Sequence, residues 1–259
     1  MRAFTSLRDF AFRLRYGFRG VPFRVGDRTI RLDESLRRWN VRSEYQVQRV
    51  IIENLNQGDG MLDVGANFGL HTLLAGTIVG STGEVHAFEP LPANVQILRH
   101  HMRLNQLESV VRITPSAISD SPESEVAFFS GAEDLGVTAS LASSECNTTR
   151  VVVPNTRLDD YLSEIRRPIR LIKIDVEGAE LKVLRGGQKV LEKFKPLLVI
   201  EVHAFAFPSF GTSLEEFRAF LDGCGYNEEI LPGTTLQNGL HYQAVYRQKN
   251  AQNRSNPKP

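Results

Sequence analysis

The fold is decided by one stretch, Asp63-Val64-Gly65-Ala66-Asn67-Phe68-Gly69, which lies where an apolar strand pattern ends and a helical pattern begins. Glycines at such a junction allow a sharp turn and let a ligand approach the main chain closely. A dinucleotide site needs the spacing G-x-G-x-x-G, so that pyrophosphate can lie on the helix N-terminus. This stretch offers only Gly65 and Gly69, and an acid precedes them. An acidic strand end repels pyrophosphate but can bind the ammonium group of an amino-acid-like cofactor.

A second acid, Glu89, stands where the next apolar strand ends. It follows Asp63 by 26 residues, close to the ~20-residue offset at which open α/β sheets place an acid on ribose hydroxyls. A carboxylate that accepts both ribose O–H groups makes charge-assisted hydrogen bonds, which are stronger than neutral ones. We therefore predict that Glu89 binds a ribose.

Short apolar strands alternate with amphipathic helices along the rest of the chain. The predicted strands are 61–64, 84–88, 110–114, 170–174 and 196–202, and the predicted helices include 43–54, 92–105, 179 to about 194 and 214–223. This alternation predicts a mostly parallel α/β sheet with helices on both faces. Two final strands, at 226–231 and 241–247, predict a closing hairpin.

Three later stretches extend the pattern of the glycine turn, which itself is followed by His71-Thr72. They are Lys173-Ile174-Asp175-Val176-Glu177-Gly178-Ala179-Glu180, Leu184-Arg185-Gly186-Gly187 and Ile200-Glu201-Val202-His203. In this combination the chain resembles the FkbM family of S-adenosylmethionine-dependent methyltransferases from about Ser43 to Arg247. The resemblance implies a Rossmann-like class I methyltransferase fold, with a seven-stranded, mostly parallel sheet and an antiparallel last strand. It also implies methyl transfer to a hydroxyl oxygen of a sugar, glycan or secondary metabolite.

The resemblance assigns the cofactor residues by position. Those expected around the methionine part of S-adenosylmethionine are Asp63, Gly65, Ala66, Asn67 and Gly69. Glu89 is expected at the ribose, and Ala117, after the third strand, is expected to line the adenine.

A hydroxyl acceptor must lose its proton, and a positioned base typically adds ~10²–10⁴-fold to the rate. The candidates are Asp175, Glu201 and His203, at the ends of the fourth and fifth strands. Glu201 and His203 are two residues apart on one strand and therefore share a face. A neighbouring Glu favours protonated His, so either of the two could be the base and the other could orient it. Because imidazole titrates near neutrality, we predict that His203 is the base and Asp175 the second choice. The predicted site has no metal, although a divalent ion held by Asp175, Glu177 and Glu201 is an alternative.

Two other classes of function stay open. A nicotinamide-dependent oxidoreductase or epimerase would need the three-glycine turn that this sequence lacks. A non-catalytic module could keep the fold and the cofactor and dock partners through its basic N-terminus. The polar groups at three strand ends argue against a non-catalytic module.

Positive charge is concentrated in the N-terminal part of the chain. Residues 1–42 hold eleven arginines against four acids, whereas the whole chain has a net charge of only +1. We predict a basic N-terminal extension at 1–42, with an amphipathic helix at 4–18 and a hairpin, then a methyltransferase domain at 43–247 and a disordered tail at 248–259.

The balanced overall charge indicates no nucleic-acid partner, and no run of ~20 apolar residues predicts a membrane span. Contact of the basic helix with a membrane surface stays open. Cys146 and Cys224 form neither a disulfide framework nor a zinc spacing, which favours a cytoplasmic location. The expected partner is a small-molecule or glycan acceptor, and the sequence does not indicate an oligomeric state.

Overall fold

The computed structural model describes residues 15–17, 19–36, 40, 44–131 and 148–249. Most of the predicted basic helix at 4–18 and nearly all of the predicted tail at 248–259 lie outside these residues. Among the described helices, none is long and apolar enough to cross a membrane.

A seven-stranded sheet forms the centre of the fold. From one edge to the other its strands, numbered in chain order, are β5 (Val111–Thr114), β4 (Glu84–Phe88), β3 (Gly60–Val64), β9 (Ile169–Ile174), β10 (Leu197–His203), β12 (His241–Gln248) and β11 (Tyr226–Ile230). The last strand, β12, runs antiparallel to both of its neighbours, and the other pairs are parallel. The predicted mostly parallel sheet with an antiparallel last strand is confirmed.

Helices cover both faces of this sheet because successive residues of a strand point to opposite faces. Met61 belongs to one buried cluster, which includes residues of α1 (Tyr45–Asn54), α2 (Leu70–Val79) and α3 (Pro92–Asn105). Leu62 belongs to the other, which includes residues of α4 (Glu180–Arg185), α5 (Gln188–Phe194) and α6 (Leu214–Gly223). The two apolar layers leave the carboxyl ends of the parallel strands as the shared edge where a ligand can bind.

The prediction of one helix from 179 to about 194 is wrong, because α4 ends at Arg185 and α5 begins at Gln188. Gly186 lies against Ser119, which is five residues beyond the end of β5. A Cβ atom at Gly186 would stand 2.1 Å from the carbonyl oxygen of Ser119, so only glycine fits there. This close approach of two backbones separates the two helices.

The N-terminal hairpin is confirmed as β1 (Val21–Val25) paired antiparallel with β2 (Arg28–Leu32). Its buried residues Val25, Ile30 and Leu32 belong to the same apolar cluster as α1, α2 and α3. The hairpin therefore shares the core of the main sheet, and the division at residue 42 stays a prediction about function.

A buried histidine ties the segment after β2 to the glycine turn. The backbone N–H of Asp33 donates to His101 Nε2 at 2.9 Å, and His101 Nδ1 donates to the carbonyl oxygen of Phe68 at 2.6 Å. Both ring nitrogens are used, and burial lowers the pKa of His101, which favours this neutral form. The N-terminal segment thus helps to position the turn.

A small second sheet lies beside the main one. It consists of β6 (Ala117–Ile118), β8 (Thr148–Thr156) and β7 (Glu125–Gly131), with β8 between the other two. Its strand β6 directly follows β5, so it places Ala117 close to the end of the main sheet.

Candidate active site

The glycine turn joins β3 to α2 and brings the main chain against the end of β9. Gly65 has φ +79°, and a Cβ atom there would stand 1.8 Å from the carbonyl oxygen of Asp175. Asn67 also has a positive φ of 52°, a conformation that asparagine tolerates better than most residues. The close contact between the ends of β3 and β9 therefore requires glycine at position 65.

Buried polar atoms around the turn fit the predicted methionine part of the cofactor. Within the described part of the chain, Asp63 Oδ1 and Asn67 Oδ1 are buried and have no hydrogen-bond partner. Folded proteins leave few buried polar atoms unpaired. Two acceptor oxygens without hydrogen bonds, next to a glycine turn, suit the N–H donors of an ammonium group.

Glu89 is fixed at the end of β4 by three N–H donors. Its Oε2 accepts from the backbone N–H of Asn67 at 2.9 Å, and its Oε1 accepts from the backbone N–H of Leu91 at 2.9 Å and from Asn94 Nδ2 at 3.3 Å. Burial raises the pKa of Glu89, and these donors offset part of that effect. A carboxylate can accept about four hydrogen bonds, so a hydroxyl can still bind this one.

Ala117 lies in an apolar patch close to Glu89. It is buried with Leu91 and Val153, and its carbonyl oxygen accepts from Ser116 Oγ at 2.9 Å. The preceding strand end is tied to Glu89, whose backbone N–H donates to the carbonyl oxygen of Thr114 at 3.3 Å. An apolar patch next to Glu89, the predicted ribose-binding residue, suits an adenine ring.

Lys173 connects this region with the rest of the cleft, although the sequence did not suggest a role for it. Its Nζ donates to the carbonyl oxygen of Gly65 at 2.8 Å and to Asp175 Oδ2 at 3.2 Å, and it lies 3.6 Å from Asp63 Oδ1. Burial lowers the pKa of Lys173, but the charges of Asp175 and Asp63 outweigh burial and raise it. Lys173 therefore stays charged. A lysine within the otherwise apolar end of a buried strand was the available signal.

His203 lies at the end of β10 among carboxylates. Its Nδ1 donates to Glu180 Oε1 at 2.8 Å. Its Nε2 lies 3.4 Å from Glu177 Oε2 and 3.9 Å from Glu201 Oε1. The structure therefore brings Glu201 and His203 together on one face, as their spacing predicted.

The expectation that His203 titrates near neutrality is wrong. Burial alone lowers the pKa of His203, but the hydrogen bond and charge of Glu180, followed by the charges of Asp175 and Glu177, raise it to about 10. The neighbouring carboxylates hold the proton on the ring. An imidazolium cannot accept a proton, so at neutral pH this form of His203 is a donor.

Asp175 lies just beyond β9, between the glycine turn and His203. Burial raises its pKa, but the charges of Lys173 and His203 lower it below the usual value. Its side chain is 30% exposed, whereas that of Lys173 is 6% exposed. Asp175 is therefore an ionised carboxylate that a ligand in the cleft can reach.

His241 also belongs to this site, and sequence reasoning missed it. It is paired with His203 in the antiparallel register of β10 and β12, and the two rings stack with centroids 4.6 Å apart. His241 Nε2 lies 2.7 Å from Glu201 Oε1, and Gln243 Nε2 donates to Glu201 Oε2 at 3.1 Å. The contact between His203 and His241 is revealed only by the register of β10 and β12, because the two histidines are 38 positions apart in the sequence.

An exposed aromatic side chain borders the two histidines. The ring of Phe205 lies edge-on to His203 with centroids 5.9 Å apart, and 6.0 Å from His241. Phe205 is 44% exposed, whereas Phe207, two residues later, is fully buried in the core. Phe205 thus offers an apolar surface at the mouth of the site.

Comparisons with known proteins agree with this architecture. The family model described as the Methyltransferase FkbM domain matches residues 63–228. Hexuronic acid methyltransferase AglP of Haloferax volcanii is 27% identical over 183 residues, which cover 71% of this chain and 72% of that protein. Methyltransferase 1 of Beauveria bassiana is 30% identical over 146 residues, which cover 49% of this chain and 57% of that protein.

A solved structure shows the same fold. A Clostridium thermocellum protein assigned as an rRNA methylase superposes with a TM-score of 0.52 at 12% identity, covering 80% of this chain and 95% of that one. At this identity the likeness concerns the fold alone, which is the predicted class I methyltransferase fold. Because the family model covers more than half of the sequence, this chain belongs to the FkbM family of methyltransferases.

Proposed function

We propose that this chain is an S-adenosylmethionine-dependent O-methyltransferase that acts on a hydroxyl group of a sugar, glycan or secondary metabolite. The observation that carries the proposal is the direct contact between two sets of polar groups at one edge of the sheet. Lys173 touches both Gly65, in the turn suited to the cofactor, and Asp175, beside the His203 cluster. A donor and an acceptor bound to these sets would meet at Asp175.

The residues of the glycine turn would hold the cofactor. Asp63 and Asn67 offer its ammonium group acceptor oxygens that have no hydrogen-bond partner, Glu89 offers its carboxylate to the ribose, and Ala117 with Leu91 offers an apolar surface to the adenine. When bound, S-adenosylmethionine supplies the methyl group and the positive charge that activates it. The chain itself contributes mainly position, which can account for much of the rate enhancement in such transfers.

Asp175, rather than His203, would accept the proton of the acceptor hydroxyl. Asp175 is ionised and partly exposed, whereas the carboxylates around His203 hold that ring in its protonated form. His203 and Glu201 would then bind and orient the acceptor beside Asp175. This division of roles reverses the order expected from the sequence, where His203 came first.

The surroundings of the site favour a polyhydroxylated acceptor. Asp175, Glu177 and Glu201 disfavour an anionic group unless a cation accompanies it, since like charges repel at short range. Phe205 offers an apolar face of the kind on which a sugar ring can pack. A hexuronic acid methyltransferase among the relatives supports a sugar, at 27% identity.

The test is a methylation assay with a panel of neutral sugars, uronic acids and hydroxylated metabolites, read by release of S-adenosylhomocysteine. We expect release that depends on one class of hydroxylated acceptor, with the methyl group on oxygen in the product. Methylation on nitrogen or carbon would overturn the acceptor assignment. Release that depends on no acceptor of the panel would remove the proposal of a hydroxylated substrate.

A further inference from the structure

The ends of β10 and β12 bring two imidazoles and a carboxylate to one point. In Glu201, His203 and His241, one ligand atom from each lies within 4.8 Å of the others. We propose that these three residues bind a divalent transition-metal ion, and that this ion contacts the acceptor oxygen during turnover. The second part rests on the proposed function, whereas ion binding does not.

The distances are those of side chains that can converge on one ion. His241 Nε2 and Glu201 Oε1 are 2.7 Å apart, and His203 Nε2 lies 3.9 Å from the same oxygen. A second carboxylate oxygen, Glu177 Oε2, lies 3.4 Å from His203 Nε2. The two imidazole rings stack, and the Nε2 atoms of both lie within 4 Å of the same oxygen, Glu201 Oε1.

The ligand atoms of this cluster favour one class of metal ion. Imidazole nitrogen suits zinc, iron, nickel and copper, whereas sites built only from oxygen suit magnesium and calcium. Two histidines with one carboxylate also leave coordination positions open, as catalytic metal sites require. The alternative set predicted from the sequence, Asp175, Glu177 and Glu201, contained only oxygen and would have favoured magnesium.

The groups behind the ligands support this assignment. A metal-binding histidine usually donates its other ring N–H to a carboxylate or carbonyl, which fixes its orientation. His203 does so, because its Nδ1 donates to the fully buried Glu180 while its Nε2 faces the cluster. Glu201 is held in the same way, because Gln243 donates to its second oxygen.

The balance of charge also favours a bound cation. Four carboxylates, those of Asp175, Glu177, Glu180 and Glu201, lie around His203, whereas the cations close to them among the described residues are Lys173 and the imidazolium of His203 itself. Burying an excess of one charge is costly unless ions of the opposite sign compensate it. A divalent ion would supply that compensation at the point where the ligand atoms meet. It would replace the proton on Nε2 of His203 and of His241, because a metal binds only an unprotonated imidazole nitrogen and its binding releases that proton.

A bound ion would assist the proposed reaction at the acceptor. A divalent metal polarises a coordinated hydroxyl and lowers its pKa. The acceptor O–H bond would then break with its proton passing to the Asp175 carboxylate, which lies beside the cluster. The oxygen, left with the electron pair of that bond, would form a bond to the methyl carbon while the methyl–sulfur bond breaks and its electron pair passes to sulfur, which leaves as neutral S-adenosylhomocysteine.

The test uses the full chain after dialysis against a chelator. Titration with Zn²⁺, Mn²⁺ and Mg²⁺ should show one tightly bound transition-metal ion per chain and much weaker binding of Mg²⁺. His203→Ala and His241→Ala should each weaken Zn²⁺ and Mn²⁺ binding by about tenfold or more. His100→Ala should bind like the parent, since this half-exposed histidine pairs with Asp33, outside the cluster.

Two further measurements separate the possible failures. Binding of Co²⁺ should produce visible absorption bands that change in both cluster variants and persist in His100→Ala. Affinity for S-adenosylhomocysteine reports whether each variant is folded and whether the cofactor proposal stands. A parent that binds S-adenosylhomocysteine but no transition metal, or cluster variants that bind metal as the parent does, would overturn the site and leave His203 as an imidazolium in an ion-pair network. Metal binding without S-adenosylhomocysteine binding would instead count against the proposed function.

Discussion

The two halves of the cleft are built in different ways. The half assigned to the cofactor lies at the ends of β3 and β4, and its acid Glu89 is held by N–H groups within 22 residues of it in the chain. The half assigned to the acceptor lies at the ends of β9, β10 and β12, and its contacts join His203, Glu201 and His241 across strands. The first half depends on local backbone geometry, and the second on side chains that meet only in the folded sheet.

This difference has a consequence for mutations. Changes in the cofactor half should act on binding or folding, because backbone and buried carboxylates set its shape. Changes in the acceptor half should act on rate, because Asp175, Glu201 and His241 are partly exposed and can reach the reacting oxygen. Lys173 connects the halves, so a change on one side that alters both affinity and rate would show that they are coupled.

Asp175→Asn should have the largest effect. We expect turnover to fall by about 10²–10⁴-fold, the usual contribution of a positioned base, with affinity for S-adenosylhomocysteine changed only a few-fold. Steady-state kinetics with calorimetric titration measures both quantities. Asp27→Asn, in the exposed hairpin turn, should match the parent. If turnover survives in Asp175→Asn, the base is another group.

Gly65→Ala should have the second-largest effect, which is a loss of stability. A Cβ atom would stand 1.8 Å from the Asp175 carbonyl oxygen, on a backbone with φ +79°. Overpacking and the positive φ together should lower the free energy of unfolding by about 2–4 kcal/mol, measured by urea denaturation. Gly233→Ala has a similar φ of +74° but nothing within 4 Å, so it isolates the backbone contribution. Equal losses of unfolding free energy in both variants would mean that the close contact of position 65 with the Asp175 carbonyl oxygen does not affect stability.

Glu89→Ala should weaken S-adenosylhomocysteine binding by about 1.5–3 kcal/mol, the range for hydrogen bonds to a charged group. Rate at saturating cofactor should change less, since Glu89 lies away from the acceptor half. Isothermal titration of the variant measures the loss, and Glu108→Ala, at an exposed glutamate after α3, should bind as the parent does. Unchanged affinity in Glu89→Ala would remove the ribose assignment.

Phe205→Ala should have the smallest effect. Loss of an exposed apolar face beside the histidines should raise the acceptor KM several-fold, corresponding to about 0.5–1.5 kcal/mol of ring packing. Affinity for S-adenosylhomocysteine should not change. A large fall in kcat at saturating acceptor would instead place Phe205 against the reacting groups.

The contrast between the halves also explains what could be predicted from sequence. The glycine turn, Glu89 and the alternation of strands and helices depend on neighbours in the chain, so their residues and spacing predicted the sheet and its edge. The ionisation of His203 depends on Glu180 and Glu177, which lie at the start of α4 and in the loop between β9 and α4. His241 joins the site only through the register of β10 and β12. Contacts between residues from distant parts of the chain leave no pattern in the sequence around either residue.

A calorimetric titration of the full chain with S-adenosylhomocysteine and, separately, with NAD distinguishes a methyltransferase cofactor site from a dinucleotide site. We predict saturable binding of one S-adenosylhomocysteine per chain and no binding of NAD, because the turn carries an acid and two glycines where pyrophosphate needs three glycines. Binding of NAD without S-adenosylhomocysteine would contradict the account and favour an oxidoreductase. Binding of neither ligand would contradict the assignment of the glycine turn and Glu89 to a cofactor.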